Sequence, residues 1–244
     1  MSAAEYPETA DIETSSDDYA GRFSGPIGEW MLGVQEQIAL KVLSDRPGAT
    51  VLDVGGGHGQ LALPLCHRGF KVTVLGSADS CRRRIQGVVD EGLCKFLVGN
   101  VVELPFPAKS FDVAMSFRLL PHCERWPTLI AELCRVSRHA VIVDYPTTQS
   151  VNAFAPMLFG AKKKVEKNTR AWRMFGQGEI RQAFRQNGFS QLSLRKQFFL
   201  PMALHRMLNK PAFSKTAENL CRFLGLTAGL GSPVILKAVW DEDR

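Results

Sequence analysis

The chain has 244 residues, 45% of them hydrophobic, which suffices for one sizeable core and a small cap. Its formal net charge is +6. It has neither an apolar run of about 18 residues nor a basic segment followed by an apolar one near the N-terminus, so we expect no spanning helix and no signal peptide. Six cysteines without a C-x-x-C pair favour buried free thiols over disulfides or zinc, which predicts a cytoplasmic protein with no metal.

The N-terminal part divides into an acidic tail and a helical segment. The first eighteen residues carry six acids and no Lys or Arg, which predicts a disordered tail over residues 1–16. Gly25 and Pro26 then interrupt the helical pattern. The apolar periodicity that follows predicts a helix over about 27–43, within a helical segment 17–45.

A glycine-rich turn follows the first strand. Residues 51–54 form a short apolar run that predicts a buried parallel strand. Gly55, Gly57 and Gly59 come next, and an apolar segment after them predicts a helix. Because glycine has no Cβ, such a turn lets the backbone approach a ligand closely. A tight strand-to-helix turn without a ligand is the alternative.

The spacing of these glycines decides between ligand classes. The third glycine comes too early for the dinucleotide pattern G-x-G-x-x-G, and no Gly-Lys-Ser/Thr follows to make a Walker loop. With Asp53 the sequence reads D-x-G-x-G-x-G, which resembles the first motif of class I S-adenosylmethionine-dependent methyltransferases. The resemblance implies that the glycines admit the methionine portion of S-adenosylmethionine and that Asp53 orders the loop.

The second strand, residues 70–75, ends at Gly76 and Ser77. In the family, an acid at the end of this strand binds both ribose hydroxyls, since a carboxylate accepts two hydrogen bonds. The resemblance therefore implies that Gly76 and Ser77 lie at the ribose, but neither is an acid. Three alternatives stay open: Asp79 reaches back, Ser77 and backbone groups replace the carboxylate, or the cofactor binds weakly.

The third and fourth strands extend the resemblance. Asn100 stands where the family usually has Asp, so Asn100 and Val101 are expected at the adenine, and Asn100 can accept from its amino group. Leu-Pro-Phe-Pro and then Ser-Phe-Asp precede a strand at 112–116. This arrangement is similar to the small-molecule, type 11 branch of ubiquinone/menaquinone biosynthesis. Phe117, directly after the strand, is a further residue expected at the cofactor.

Three residues are candidates for catalysis. His122 falls where the family commonly has a His, and its imidazole suits a general base. Alternatively, His122 positions the helix that begins near Trp126. Asp144 and Tyr145 end the fifth strand, where open α/β sheets place ligands, so we expect both to face the substrate. Packing at the sheet edge is the alternative for this pair.

The segment 17–45 is expected to act as a helical gate. In the resembling family an N-terminal helical segment often closes over the cofactor, and a Tyr or Arg there can reach the cofactor carboxylate. Tyr19 and Arg22 fit this role. A packing aromatic residue beside a solvated Arg is an equally open alternative.

The C-terminal part is basic and contains an insertion. Residues 160–215 carry 13 Lys or Arg against two acids, and Lys162, Lys163 and Lys164 lie together. Between the predicted last two strands, residues 201–231 form an insertion with helices expected around 202–208 and 216–224. It is a packed cap, the wall of a pocket for an acidic and partly apolar substrate, or a surface that rests on an anionic membrane.

Together these features predict one α/β domain over 17–244, with a Rossmann-like, doubly wound seven-stranded sheet, helices on both faces and a small helical cap. The predicted function is methyl transfer from S-adenosylmethionine to a small molecule that is anionic or partly apolar. A catalytically silent scaffold is one alternative, because the ribose acid is missing. An RNA methyltransferase is the other; no Asn/Asp-Pro-Pro-Tyr/Phe motif supports it, so we expect no specific nucleic acid. The sequence leaves the oligomeric state open.

Overall fold

The computed structural model describes residues 6–154 and 172–241. Its centre is a seven-stranded sheet. The strands are β1 Thr50–Val54, β2 Lys71–Gly76, β3 Cys94–Val98, β4 Phe111–Ser116, β5 Ser137–Tyr145, β6 Gln191–Phe198 and β7 Ser232–Val239. Their order in the sheet is β3-β2-β1-β4-β5-β7-β6. The first five strands pair in parallel, and β7 runs antiparallel to both β5 and β6.

Helices cover both faces of the sheet. Successive residues of a strand point to opposite faces, and β1 shows the consequence. Leu52 and Val54 belong to a core cluster with the helices Trp126–Val136 and Gln177–Gln186, whereas Val51 belongs to a second cluster with the helices Gly25–Leu43 and Ala62–His67. The helices are α1 Ala10–Thr14, α2 Asp17–Gly21, α3 Gly25–Leu43, α4 Ala62–His67, α5 Gln86–Asp90, α6 Trp126–Val136, α7 Gln177–Gln186, α8 Met202–Leu208, α9 Pro211–Phe223 and α10 Leu226–Leu230. The expected fold class is confirmed.

The insertion before β7 forms a helical cap of α8, α9 and α10. The helix expected around 202–208 is confirmed, and the second helix begins earlier than expected because Pro211 occupies its first turn, where a missing N–H costs nothing. Buried Glu218 organises the cap: its carboxylate accepts from the backbone N–H groups of Phe199 and Leu200 at 2.9 and 2.8 Å. Its Oε1 also lies 3.1 Å from Nε2 of buried His205.

The prediction of a disordered acidic tail over 1–16 is wrong for residues 6–16. Helix α1 lies against the glycine-rich turn, with Asp11 fully buried and Ala10 3% exposed. The acidic composition does not predict this structure, because two of the acids accept hydrogen bonds from groups elsewhere in the protein. Asp11 accepts from Ser77, and Glu8 accepts from the backbone N–H of Arg125 at 2.7 Å.

Two further expectations concern membranes and metals. Within the two described stretches, no helix combines the length and apolar character needed to cross a bilayer. The same stretches contain no group of three His, Cys, Asp or Glu side chains arranged to hold a metal. All six cysteines are free thiols.

Candidate active site

The glycine-rich turn is shaped by contacts within the protein. Gly55 and Gly59 have φ of 77° and 79°, the left-handed region that favours glycine, and they flank a short 3₁₀ turn. A Cβ at Gly56 would lie 2.1 Å from a carboxylate oxygen of Asp53, and one at Gly57 would lie 2.3 Å from the carbonyl oxygen of Cys81. The turn therefore needs glycine for its own packing.

Two buried polar residues at this turn have side-chain atoms without a hydrogen-bond partner among the described residues. Neither carboxylate oxygen of Asp53 nor Nε2 of His58 has a partner among the described residues. Burial raises the pKa of Asp53 to about 7, although the charge of Arg118 opposes the shift. Burial, helped by Arg118, also holds the pKa of His58 well below its ordinary value. Both groups can therefore be neutral near pH 7. Asp53 can accept hydrogen bonds from a ligand, whereas Nδ1 of His58 already accepts from the backbone N–H of Gln60, so that the neutral ring offers Nε2–H as a donor.

Asp144 connects the ends of two strands to α3. Its Oδ1 accepts from the backbone N–H of Arg118 at 2.6 Å, and its Oδ2 accepts from Nε2 of Gln35 at 2.7 Å. Arg118 has φ of 60°, a conformation that is uncommon outside glycine and that concentrates at functional sites. Sequence reasoning missed Gln35 and Arg118. A basic residue just after β4 in an otherwise apolar stretch was the available signal for Arg118.

The guanidinium of Arg118 is buried beside a cavity. It stacks over the ring of Phe23 at 4.7 Å, and its Nη2 has no hydrogen-bond partner among the described residues. The cavity has a volume of about 440 Å³ and lies between the glycine-rich turn and α1 to α3. Its lining consists of Thr14, Asp17, Ala20, Gly21, Phe23, Ser24, Leu32, His58, Gly59, Gln60, Arg84 and Arg118.

The structure brings the predicted gate residue Tyr19 to the predicted base His122. Their rings meet edge to face with centroids 6.2 Å apart. Tyr19 is buried, and burial raises its pKa, while Arg118 opposes the shift and Asp144 adds to it. Arg22 is exposed, and its guanidinium stacks over the Tyr19 ring at 5.0 Å. Tyr19 is therefore buried against His122, and Arg22 is exposed beside it.

The end of β2 carries a carboxylate that sequence reasoning missed. Asp11 accepts from the backbone N–H of Ser77 at 2.6 Å and from its hydroxyl at 2.5 Å. Asp79, an open alternative at the sequence level, points away: its side chain is 76% exposed and pairs with Arg82. At Gly76 a Cβ would lie 2.8 Å from Cβ of Cys81, which leaves no room for an acid at that position.

Asn100 and Val101, the two residues expected at the adenine, have different surroundings. Asn100 Oδ1 accepts from the backbone N–H of Val102 at 3.1 Å, so this side chain closes its own turn. Val101 is fully buried in the core cluster that also contains Ala10 of α1. Helix α1 therefore packs against Val101, one of the two residues expected at the adenine.

Phe117 and Tyr145 lie in the core rather than at a ligand surface. Phe117 is fully buried in the cluster on the α3 and α4 side. Tyr145 is 1% exposed and packs against Phe175 in the opposite cluster. Asp144 and Tyr145 point to opposite faces because adjacent strand residues alternate. The expectation that both face the substrate is therefore wrong for Tyr145.

The sheet order, the glycine-rich turn after β1 and the polar cluster at the carboxyl ends of β4 and β5 define a Rossmann-like fold of the class I methyltransferase type. Residues 52–143 match the family described as Methyltransferase domain. The resemblance drawn from the sequence is therefore confirmed over this part of the chain.

Curated proteins and a solved structure are similar to this chain. Malonyl-[acyl-carrier protein] O-methyltransferase of Serratia marcescens is 29% identical over 134 residues, which are 53% of this chain and 47% of that protein. A 2-phytyl-1,4-naphtoquinone methyltransferase of Trichormus variabilis is 31% identical over 52% of this chain and 63% of its own length. The chain spans about half the length of the first curated relatives it matches.

The structural likeness extends over nearly the whole chain. The crystal structure of magnesium protoporphyrin IX methyltransferase from Synechocystis PCC 6803 with bound SAH aligns with a TM-score of 0.64. The alignment covers 94% of this chain and 98% of that chain at 17% sequence identity. At this identity the likeness shows the fold.

Proposed function

We propose that the protein transfers a methyl group from S-adenosylmethionine to a small-molecule acceptor with an anionic group and an apolar part. The observation that carries this proposal is the buried, unpartnered carboxylate of Asp53 at a glycine-rich turn inside a methyltransferase domain. The relatives reported above carry methyltransferase names, and the aligned crystal structure holds SAH. When bound, the cofactor supplies an electrophilic methyl group on a sulfonium.

The residues at the turn fit the methionine portion of this cofactor. Asp53 lacks a cationic or donor partner, and Arg118 Nη2 lacks an acceptor, both among the described residues. A ligand that carries an ammonium and a carboxylate would satisfy both, since buried polar groups gain most from a charged partner. The ribose and adenine portions fit only when α1 leaves, because Asp11 and Ala10 lie there.

Arg118 offers a buried N–H to a carboxylate in the 440 Å³ cavity. That carboxylate belongs either to the methionine portion or to the acceptor, and titration of Arg118→Met separates the two sources. If it belongs to the methionine portion, the variant loses affinity for S-adenosylmethionine but keeps its affinity for decarboxylated S-adenosylmethionine. If it belongs to the acceptor, the affinity for S-adenosylmethionine is unchanged. An equal loss for both compounds would contradict a carboxylate site.

The protein's own contribution is positioning. Methyl transfer is an in-line displacement, so its rate depends on holding the nucleophile close and on axis. Asp144 serves this purpose by fixing Arg118 and Gln35, and both of its oxygens are engaged. His122, against the Tyr19 ring, stays the proposed acceptor of the nucleophile's proton.

The surface of the cap is the reason for proposing an acceptor with an apolar part and a contact with a membrane. Its exposed surface includes Phe223, which is 87% exposed, and its only acid, Glu218, is fully buried. Exposed Lys210, Lys215 and Arg222 surround this surface. The exposed apolar residues are Met207, Leu208, Phe213, Leu220, Phe223, Leu224, Leu226 and Leu230. Apolar side chains among basic ones suit an anionic lipid surface.

The cap lies next to the cavity. Trp30 of α3 packs against Phe198 and against His205 of α8, each with centroids 5.2 Å apart. Arg206, also on α8, stacks over Phe23 at 5.3 Å, and Phe23 lines the cavity. A cap that rests on a membrane would therefore hold the cavity close to lipid-dissolved acceptors. The cluster Lys162, Lys163 and Lys164 lies outside the described residues.

Flotation with vesicles tests the membrane contact. We expect the wild type to float with anionic vesicles at low salt and not with neutral ones, and Phe223→Ser to lose flotation. Leu97→Ser is the matched control, because Leu97 is exposed on β3, away from the cap. Equal flotation of the two variants would contradict the assignment to the cap.

Transfer of a labelled methyl group tests the function as a whole. The protein is incubated with methyl-labelled S-adenosylmethionine and separate small-molecule, RNA and protein fractions of a cell extract. The proposal expects label in organic-extractable small molecules. Label in RNA would favour the RNA alternative, and cofactor binding without transfer to any fraction would favour the silent scaffold.

A further inference from the structure

The chain's own N-terminal segment fills the ribose side of the cofactor groove. We call residues 8–15 the N-terminal plug. Asp11, at its centre, is fully buried, and its carboxylate accepts three hydrogen bonds. The donors are the N–H of Ser77 at 2.6 Å, the hydroxyl of Ser77 at 2.5 Å and the thiol of Cys81 at 3.2 Å. Ser77 is the residue at which the sequence predicts the ribose.

The plug also occupies the space above the glycines. A Cβ built at Gly55 would lie 3.5 Å from Cβ of Asp11, and one at Gly57 would lie 2.6 Å from Oγ of Ser15. The open face that glycines provide for a ligand is therefore in contact with the plug. A cofactor lying on this face would overlap with atoms of Asp11 and Ser15.

The other end of the plug is anchored on the adenine side. Glu8 accepts from the backbone N–H of Arg125 at 2.7 Å and is 7% exposed. Ala10 packs in the core cluster that contains Val101 and Leu119. The plug thus runs from Arg125 across Val101 to the glycine-rich turn, along the predicted positions of adenine and ribose.

After the plug, the chain is held at the surface. Asp17 of α2 pairs with Arg83 at 2.8 Å and with Arg84 at 3.0 Å, and its side chain is 55% exposed. Asp17 and Arg84 line the cavity on the other side of the glycine-rich turn, and Ser77 is not part of that lining. The contacts of Asp17 allow residues 8–15 to leave the groove while α2 stays attached.

We propose that the N-terminal plug is an internal competitor of S-adenosylmethionine, so that cofactor binding requires Asp11 to leave Ser77. The inference rests on the proposed function. It explains why a carboxylate stands at the end of β2 although position 76 is glycine. That carboxylate accepts the protein's own donors in place of the ribose hydroxyls.

Titration of the full-length protein with S-adenosylmethionine tests the competition. Asp11→Ala removes the acceptor of three hydrogen bonds from the plugged state, so we expect the dissociation constant to fall about tenfold or more. Asp18→Ala is the matched control, an exposed acid on α2, and should leave the affinity unchanged. Circular dichroism verifies the fold of each variant.

Hydrogen exchange gives a second readout that needs no turnover. In the wild type, amides of residues 8–15 should be protected without the cofactor and should exchange faster when S-adenosylmethionine is added. In Asp11→Ala they should exchange fast in both states.

The outcomes separate this inference from the proposed function. Weaker binding by Asp11→Ala would overturn the inference, because Asp11 would then hold the ribose. Unchanged affinity together with cofactor-independent protection of residues 8–15 would overturn it as well. If neither the wild type nor Asp11→Ala bound S-adenosylmethionine, the proposed function itself would fail.

Discussion

The side-chain amide of Gln35 donates to Asp144 at 2.7 Å and so links α3 to the end of β5 across 109 positions of sequence. The other oxygen of Asp144 accepts from the backbone N–H of Arg118. Burial raises the pKa of Asp144 to about 6, while its hydrogen bond from Arg118 opposes the shift. Asp144 is therefore a positioning residue that holds three elements together around the cavity.

Asp144→Asn tests this role. An asparagine keeps the shape but presents an NH₂ group to one of two donors, so we expect a loss of about 2 kcal/mol in the free energy of unfolding. Urea denaturation measures the loss. Asp90→Asn is the control, because Asp90 is exposed and bonded to Gln86 within one helix. Equal stability of Asp144→Asn and the wild type would argue against a structural role for Asp144.

Gly57→Ala tests the glycine-rich turn. Its Cβ would lie 2.3 Å from the carbonyl oxygen of Cys81, so the turn must shift. We expect a loss of about 1–3 kcal/mol in stability and loss of S-adenosylmethionine binding. Gly87→Ala, on α5 with open space around the new Cβ, should retain both. Normal cofactor binding by Gly57→Ala would show that this turn is not the binding element.

The pKa of Asp53 predicts how stability depends on pH. The ordinary pKa of 3.8 is raised by burial to about 7 in the folded protein. As the pH rises from about 4 to 7, the unfolded chain releases this proton and the folded chain keeps it, so stability falls across this window. Above about pH 7 Asp53 is ionised in both the folded and the unfolded state, so it no longer changes the stability as the pH rises.

Asp53→Asn removes this titration. We expect the variant to match the wild type near pH 4 and to exceed it at pH 8, by at most about 4 kcal/mol at ~1.4 kcal/mol per pKa unit. Urea unfolding at both pH values measures the difference. A difference that does not change with pH would mean that Asp53 is already ionised at pH 4.

Glu218→Ala tests the organisation of the cap. The substitution leaves two backbone N–H groups and His205 without their buried acceptor, which costs about 3 kcal/mol locally. We expect trypsin to cleave residues 201–231 faster than in the wild type, at exposed Lys and Arg of the cap. Glu103→Ala, at an exposed acid outside the cap, should be cleaved at the wild-type rate. Unchanged cleavage of Glu218→Ala would mean that other contacts hold the cap.

The sheet and the glycine-rich turn could be predicted because their signals are local. Short apolar runs mark β1, β2 and β5, and glycines at fixed spacing mark the turn. A helix at 202–208 was predicted from its apolar residues in the same way. Each of these depends on residues close together in sequence.

The missed parts of the site depend on distant partners. Asp11 and Ser77 are 66 positions apart, and nothing in the acidic composition of the tail indicates that one acid finds buried donors. Gln35 is similarly hidden, because its partner Asp144 lies 109 positions away. Tyr145 differs from the prediction for another reason: a position at a strand end does not fix which face the side chain points to, and the alternation of side chains turns Tyr145 into the core.

Calorimetric titration of S-adenosylmethionine into the wild type and Asp11→Ala side by side is the decisive measurement. If the N-terminal plug competes with the cofactor in a methyltransferase, Asp11→Ala shows saturable one-to-one binding, and the wild type binds about tenfold or more weakly. Absence of binding by both proteins up to about 1 mM, the upper end of usual substrate concentrations, would show that the protein does not use this cofactor.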